Sequence, residues 1–153
     1  MGNIEDDAPP NVASALIAGD GAPVVNAPSR PVRRLRILVI DDEPAITRSL
    51  GALLSLDHDV ELMTSGAVAL ERLLAGATYD VALCDMMMPT VSGIDLYTRV
   101  AHDRPGDEAK IVFMTGGAFT EQARRFLASV PNRRLEKPFP IAALVAIFAE
   151  LVR

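Results

Sequence analysis

From Leu35 onward the chain alternates short β-rich apolar runs with longer segments of helical spacing. Leu35–Ile40 is the first run and stops at Asp41-Asp42; Asp59–Thr64 is the second; Asp80–Cys84 stops at Asp85. Lys110–Met114 ends at Thr115, and the short Arg134-Leu135-Glu136 is followed by Lys137. Between and after them, helices are predicted over Pro44 to about Leu56, Ala67–Ala75 with a stop at Gly76, Ile94 to about His102, Thr120–Ala128 and Ile141–Val152. This is β-α repeated five times. The strands are near-continuous in apolar residues rather than alternating, so helices must cover both faces of an open parallel α/β sheet. In such sheets ligands bind beyond the carboxyl ends of the strands, where strand order reverses. The residues that follow the apolar runs therefore become the candidates for chemistry: Asp41, Asp42, Asp85, Thr115 and Lys137.

Residues 1–34 have another character, rich in Ala, Pro, Gly and Asn, and read as a tail or linker of low order ahead of a domain spanning 35–153. The tail ends in the basic cluster Arg30, Arg33, Arg34 and Arg36, read as a solubilising flank ahead of a docking patch. The whole chain has 153 residues, half of them hydrophobic, enough to fill one core without staples. The single cysteine, Cys84, excludes an internal disulfide and any cysteine-based zinc site. A net charge of -5 argues against direct nucleic-acid binding. No apolar run reaches the ~18 residues that span a bilayer. The acidic Met1–Asp7 start resembles no secretory signal. The expectation is a cytoplasmic protein without membrane partners.

Three carboxylates gathered at the ends of two strands repel one another unless a cation lies among them, and an oxygen-rich acidic cluster suits magnesium. A carboxylate can also attack phosphorus and form an aspartyl phosphate. Phosphoryl transfer then needs positioning and neutralisation of the equatorial oxygens. Lys137 offers a compact positive charge and Thr115 a hydroxyl donor.

Four elements carry a resemblance to the receiver domains of response regulators in two-component systems. They are Ile37–Glu43, then Asp85-Met86-Met87-Met88-Pro89 with Gly93 four positions on, Met114–Gly117, and Glu136-Lys137-Pro138-Phe139. Their order and intervals agree with the family from Leu35 to Arg153, and the flavour is closest to receivers of hybrid histidine kinases. The resemblance implies a flavodoxin-like (βα)5 sheet of order 2-1-3-4-5. It makes Asp85 the phosphoacceptor and Asp42 the principal carboxylate for Mg2+, with Asp41 acting through a metal-bound water and the Met87 backbone carbonyl completing the set. Thr115 and Lys137 would read the phosphoryl group, and the Lys137-Pro138 peptide would be cis. A histidine kinase or histidine phosphotransfer protein would supply the phosphoryl group, and a downstream protein would receive the signal. The domain would be a phosphoacceptor in a phosphorelay that assists its own phosphorylation and dephosphorylation, and no enzyme otherwise.

The competing reading is a phosphorylation-independent receiver-like interaction module. A dehalogenase-like phosphatase is disfavoured, because Met87 stands where its second acid would be. Asp41, Asp42 and Glu43 could alternatively serve only to favour the helix that follows. Met86, Met87 and Met88 read as packing, Cys84 as a core residue facing away from Asp85, and His58 and His102 as surface residues. Two departures stand out. Arg134 occupies the position of an aromatic ring that moves in many receivers, which puts the output on Thr115, the 116–120 loop and a salt-bridge change at Arg134. The small Gly116 and Gly117 leave the acceptor open to water or to a partner histidine.

Overall fold

The structure, a computed structural model, describes residues 33–117 and 120–151. Most of the expected tail, Arg30 of the basic cluster and part of the 116–120 loop lie outside these residues. Within them the order is β1 (Arg36–Ile40), α1 (Pro44–Leu54), β2 (Asp59–Met63), α2 (Gly66–Leu74), β3 (Val81–Asp85), α3 (Gly93–Asp103), a 3₁₀ turn (Asp107–Lys110), β4 (Ile111–Thr115), α4 (Glu121–Ser129), β5 (Arg134–Glu136) and α5 (Ile141–Leu151). All four strand pairings are parallel, and the sheet runs β2-β1-β3-β4-β5. The expected fold and strand order are both found.

Local chemistry sets the boundaries. Pro44 opens α1 at a position where the missing N–H costs nothing. Ser65 caps α2 by accepting from the Val68 N–H, and Thr120 caps α4 through the Ala123 N–H. Ser92 and Asp95 form a reciprocal capping box on α3. Gly76, at φ 96°, releases the chain after α2. The 3₁₀ turn went unforeseen: Gly106 at φ 100° starts it, and it moves the start of β4 from Lys110 to Ile111.

β3 and β4 are buried throughout, as is β1 after Arg36, so side chains leave the sheet into two cores. One core packs Leu50 and Leu54 of α1 and Leu144, Ile147 and Phe148 of α5 against Ile37, Val39, Leu83, Val112 and Leu135. The other packs α2, α3 and α4 against Leu38, Ile40, Ala82, Cys84 and Phe113. Cys84 is fully buried there, as expected, and Met86 and Met88 fill the same core while Met87 is exposed. Burying these apolar chains contributes roughly 1.5–3 kcal/mol for each large one.

Two expectations are corrected. His58 is a buried residue: its Nδ1 accepts the Leu35 N–H at 3.3 Å and its ring meets Phe148 edge-on at 5.3 Å. A histidine just past α1 is covered because α5 folds back over it. The described arginines of the basic cluster are held in place. Arg33 pairs with Asp80 at 2.8 Å and Arg34 with Asp59 at 3.0 Å, while Arg36 donates to Thr78 at 2.7 Å. They fasten the starts of the strands instead of forming a free flank. His102 is exposed, as expected.

Thr90, in the loop after β3, has φ 68°, a left-handed conformation that a β-branched residue adopts at a cost of roughly 1–3 kcal/mol. Its side chain is exposed. Thr90→Asn is expected to raise unfolding stability by roughly 0.5–1 kcal/mol in urea titration, since asparagine tolerates this conformation.

Candidate functional site

The carboxyl ends of β1, β3, β4 and β5 bring all five candidates to one end of the sheet, at the reversal between β1 and β3. Asp41 and Asp42 follow β1; Asp85 and Thr115 are the last residues of β3 and β4; Lys137 follows β5. Carboxylate oxygens of Asp41, Asp42 and Asp85 lie within 4.8 Å of one another.

The three acids differ in their surroundings. Asp41 is fully buried, with both oxygens engaged: Oδ1 accepts the Glu43 N–H at 2.9 Å and Oδ2 accepts from Lys137 Nζ at 2.6 Å. Asp42 is exposed and has no hydrogen bond or ion pair among the described residues. Asp85 is 6% exposed, with Oδ1 3.4 Å from Lys137 Nζ. Burial and the Asp41 charge push its carboxyl up to about 6, against the opposing pull of Lys137 and the Met87 N–H. Burial works against the Lys137 ammonium, yet the Asp41 hydrogen bond and the Asp85 and Asp41 charges outweigh it and hold its pKa above the ordinary lysine value.

These acids do not cap α1, because Glu43 occupies the cap position and makes no side-chain cap bond. Lys137 is no surface lysine either, since its side chain is only 18% exposed. The Lys137 N–H donates to the Thr115 carbonyl at 2.7 Å and its peptide to Pro138 is cis. Thr115 Oγ1 donates weakly to the Leu135 carbonyl at 3.5 Å.

Gly93 shows why the loop after β3 needs a glycine. A Cβ there would lie 2.8 Å from the Asp85 carbonyl oxygen and 3.0 Å from Met86 Cα. The backbone carrying Asp85 can close onto the start of α3 only without a side chain. At Gly116 and Gly117, by contrast, a Cβ would meet nothing within 4 Å. Arg134 is exposed on β5 and forms no ion pair among the described residues.

Three carboxylates face one ammonium, which leaves an excess of negative charge that a divalent cation would balance. The all-oxygen donor set, one member exposed and unpaired, fits magnesium.

The sequence profile of the response regulator receiver domain matches residues 37–149. The transcriptional regulatory protein DltR of Streptococcus agalactiae is 34% identical over 113 residues, covering 73% of this chain and 49% of that protein. The response regulator MprA of a Mycobacterium species is 32% identical over 120 residues, 78% of this chain and 51% of that one. The chain thus spans about half the length of these relatives. Among solved structures, the receiver domain of the Pseudomonas aeruginosa sensor histidine kinase PA1611, with magnesium in its active-site cleft, has a TM-score of 0.67 at 27% identity. That match covers 78% of this chain and 98% of that one. A receiver domain from Clostridium thermocellum also scores 0.67 at 27% identity, covering 76% and 93%. With these matches over the same sheet and the same strand ends, the chain belongs to the response regulator receiver domain family.

Proposed function

We infer that this receiver domain accepts a phosphoryl group on Asp85 from a histidine kinase or a histidine phosphotransfer protein. The observation that carries the reading is the placement of one buried carboxylate 3.4 Å from a lysine, with two further acids inside 4.8 Å. An Asp85 oxygen forms the new bond to phosphorus as the donor's P–N bond breaks, and the electron pair leaves with the imidazole. Asp41, Asp42, Asp85 and the Met87 carbonyl would hold Mg2+, Asp41 through a water. When bound, the ion neutralises charge on the transferring oxygens.

Each residue has its own part. Asp41, with both oxygens engaged, fixes the ammonium of Lys137 beside Asp85. Lys137 then neutralises one phosphoryl oxygen. Thr115 exchanges its long bond to the Leu135 carbonyl for one to another phosphoryl oxygen. That exchange is the first structural difference between the two states.

Three outcomes are expected. Incubation with acetyl phosphate and magnesium adds one phosphoryl group by intact mass, and Asp85→Asn abolishes the addition; an unmodified wild type under kinases as well would favour the interaction-module reading. Replacing Gly117 by a bulky residue, for which there is room, shields the acceptor and slows loss of the phosphoryl group several-fold; an unchanged dephosphorylation rate would count against an open acceptor. The third concerns stability in EDTA. The Asp85 carboxyl rises from 3.8 to about 6 on folding, so the folded state binds the extra proton between these values and stability falls as pH rises through them. Above about 6 the full cost is present, so Asp85→Asn is expected to be more stable than wild type near neutral pH. The gap should be roughly 1–2 kcal/mol after allowing for screening at the open edge. Urea titrations of both proteins should show it closing toward pH 4.

A further inference from the structure

At the pole of the sheet opposite Asp85, the starts of β1 and β2, the last turn of α2 and the loop after it surround an open hollow of about 410 Å³. That volume lies in the range of small-molecule sites. Asp59, Glu61 and Met63 alternate onto the face of β2 that α2 covers, and Met63 packs into the core there. Glu61, one place nearer the strand start, is a carboxylate engaged twice. It accepts the Tyr79 hydroxyl at 2.5 Å and pairs with Arg72 Nε at 3.0 Å. The Tyr79 ring is packed against the same core, so the arginine of α2 is braced by groups that are themselves fixed. On β1, Arg36 Nη1 donates to the Thr78 hydroxyl at 2.7 Å. Its Nε lies 3.9 Å from Asp80, which Arg33 holds more closely at 2.8 Å.

We propose that this hollow binds a small organic phosphate, with the phosphate held by Arg36 and Arg72 together. Both arginines line the hollow, both are about half exposed, and each guanidinium carries more N–H donors than these bonds use. The carboxylates at its edge are already matched, Asp59 by Arg34 and Glu61 by Arg72 and Tyr79. A phosphate monoester is close to doubly charged at neutral pH and offers three acceptor oxygens, so two guanidinium forks can share it. A carboxylate is satisfied by one fork. The hollow exceeds what inorganic phosphate fills, and Ala77 and the Tyr79 ring line it beside the arginines for the organic part. In a chain of net charge -5 an anion is repelled from most of the surface. Binding here therefore depends on arginines held in place before the ligand arrives.

Proton–nitrogen correlation NMR of the full chain tests this, in EDTA at constant ionic strength, with AMP, glucose 6-phosphate, inorganic phosphate and succinate as separate titrants. Neither magnesium nor a phosphodonor is present, so the outcome is independent of the reading of Asp85. A phosphate monoester is expected to give a saturable shift of the 77–80 amides and of the Arg36 and Arg72 Nε–H signals. Arg36→Gln and Arg72→Gln each weaken binding at least about tenfold. Arg72→Lys, which keeps the charge and loses the fork, falls between Arg72→Gln and wild type. Arg125→Gln on α4, whose partner is Glu121, leaves binding unchanged. A dispersed spectrum shows that each variant is folded. No saturation by either monoester at millimolar concentration overturns the proposal, as does a shift that survives both glutamine substitutions. An equal response to inorganic phosphate or succinate also overturns it, marking an adventitious anion only.

Discussion

The Lys137 ammonium is the constraint on which the site end of the molecule depends. It bonds a carboxylate with no exposure to water and lies within ion-pair distance of a second, 96 residues from the first of them in sequence. Removing the lysine costs more than forming its pairs gains, because the two carboxylates would stay desolvated without a counter-charge. Four of the strands thus have to close in one register, with β5 delivering the lysine to the end of β1 across β3 and β4. Leu135 buries on one side of β5 while the Lys137 N–H bonds the Thr115 carbonyl, so packing and hydrogen bonding fix the same position. The apolar strands supply the stability that offsets the burial of these charged groups.

The same arrangement explains why the acids differ. Asp41 is held by the backbone ahead of α1 and by lysine, Asp85 is pushed toward the neutral form by burial and by Asp41, and Asp42 faces water. One cluster thereby contains an anchor, a carboxylate of raised energy and an open oxygen donor. A carboxylate of raised energy is a better partner for any cation or electrophile than one already satisfied.

Much of this was legible along the chain. β1, β3 and β4 are recognisable because burial on both faces leaves them continuously apolar, and each ends at its polar residue. Asp41, Asp42, Asp85, Thr115 and Lys137 could be read from their places after the runs, although the 2.6 Å bond from Lys137 to Asp41 could not, since it depends on how the strands stack. His58 was misjudged for a related reason. Its burial comes from Phe148 on α5, and the local sequence after α1 carries no sign of that distant ring. The turn at 107–110 was missed because a four-residue polar piece has no periodicity to display. The ion pairs of Arg33 and Arg34 escaped notice because their partners, Asp80 and Asp59, begin other strands.

Those ion pairs and the acidic cluster occupy opposite poles of the sheet. Around the strand starts, arginines and acids cancel one another pair by pair, whereas at the other pole three carboxylates exceed a single lysine. Among the described residues, unbalanced negative charge is thus gathered at the end of the strands where the three acids lie. In solution a small cation is drawn toward the acidic pole and an anion is turned away from it, over a distance set by the ~8–10 Å Debye length at ordinary salt. A cation held at this pole would lower the repulsion that an approaching anion meets there.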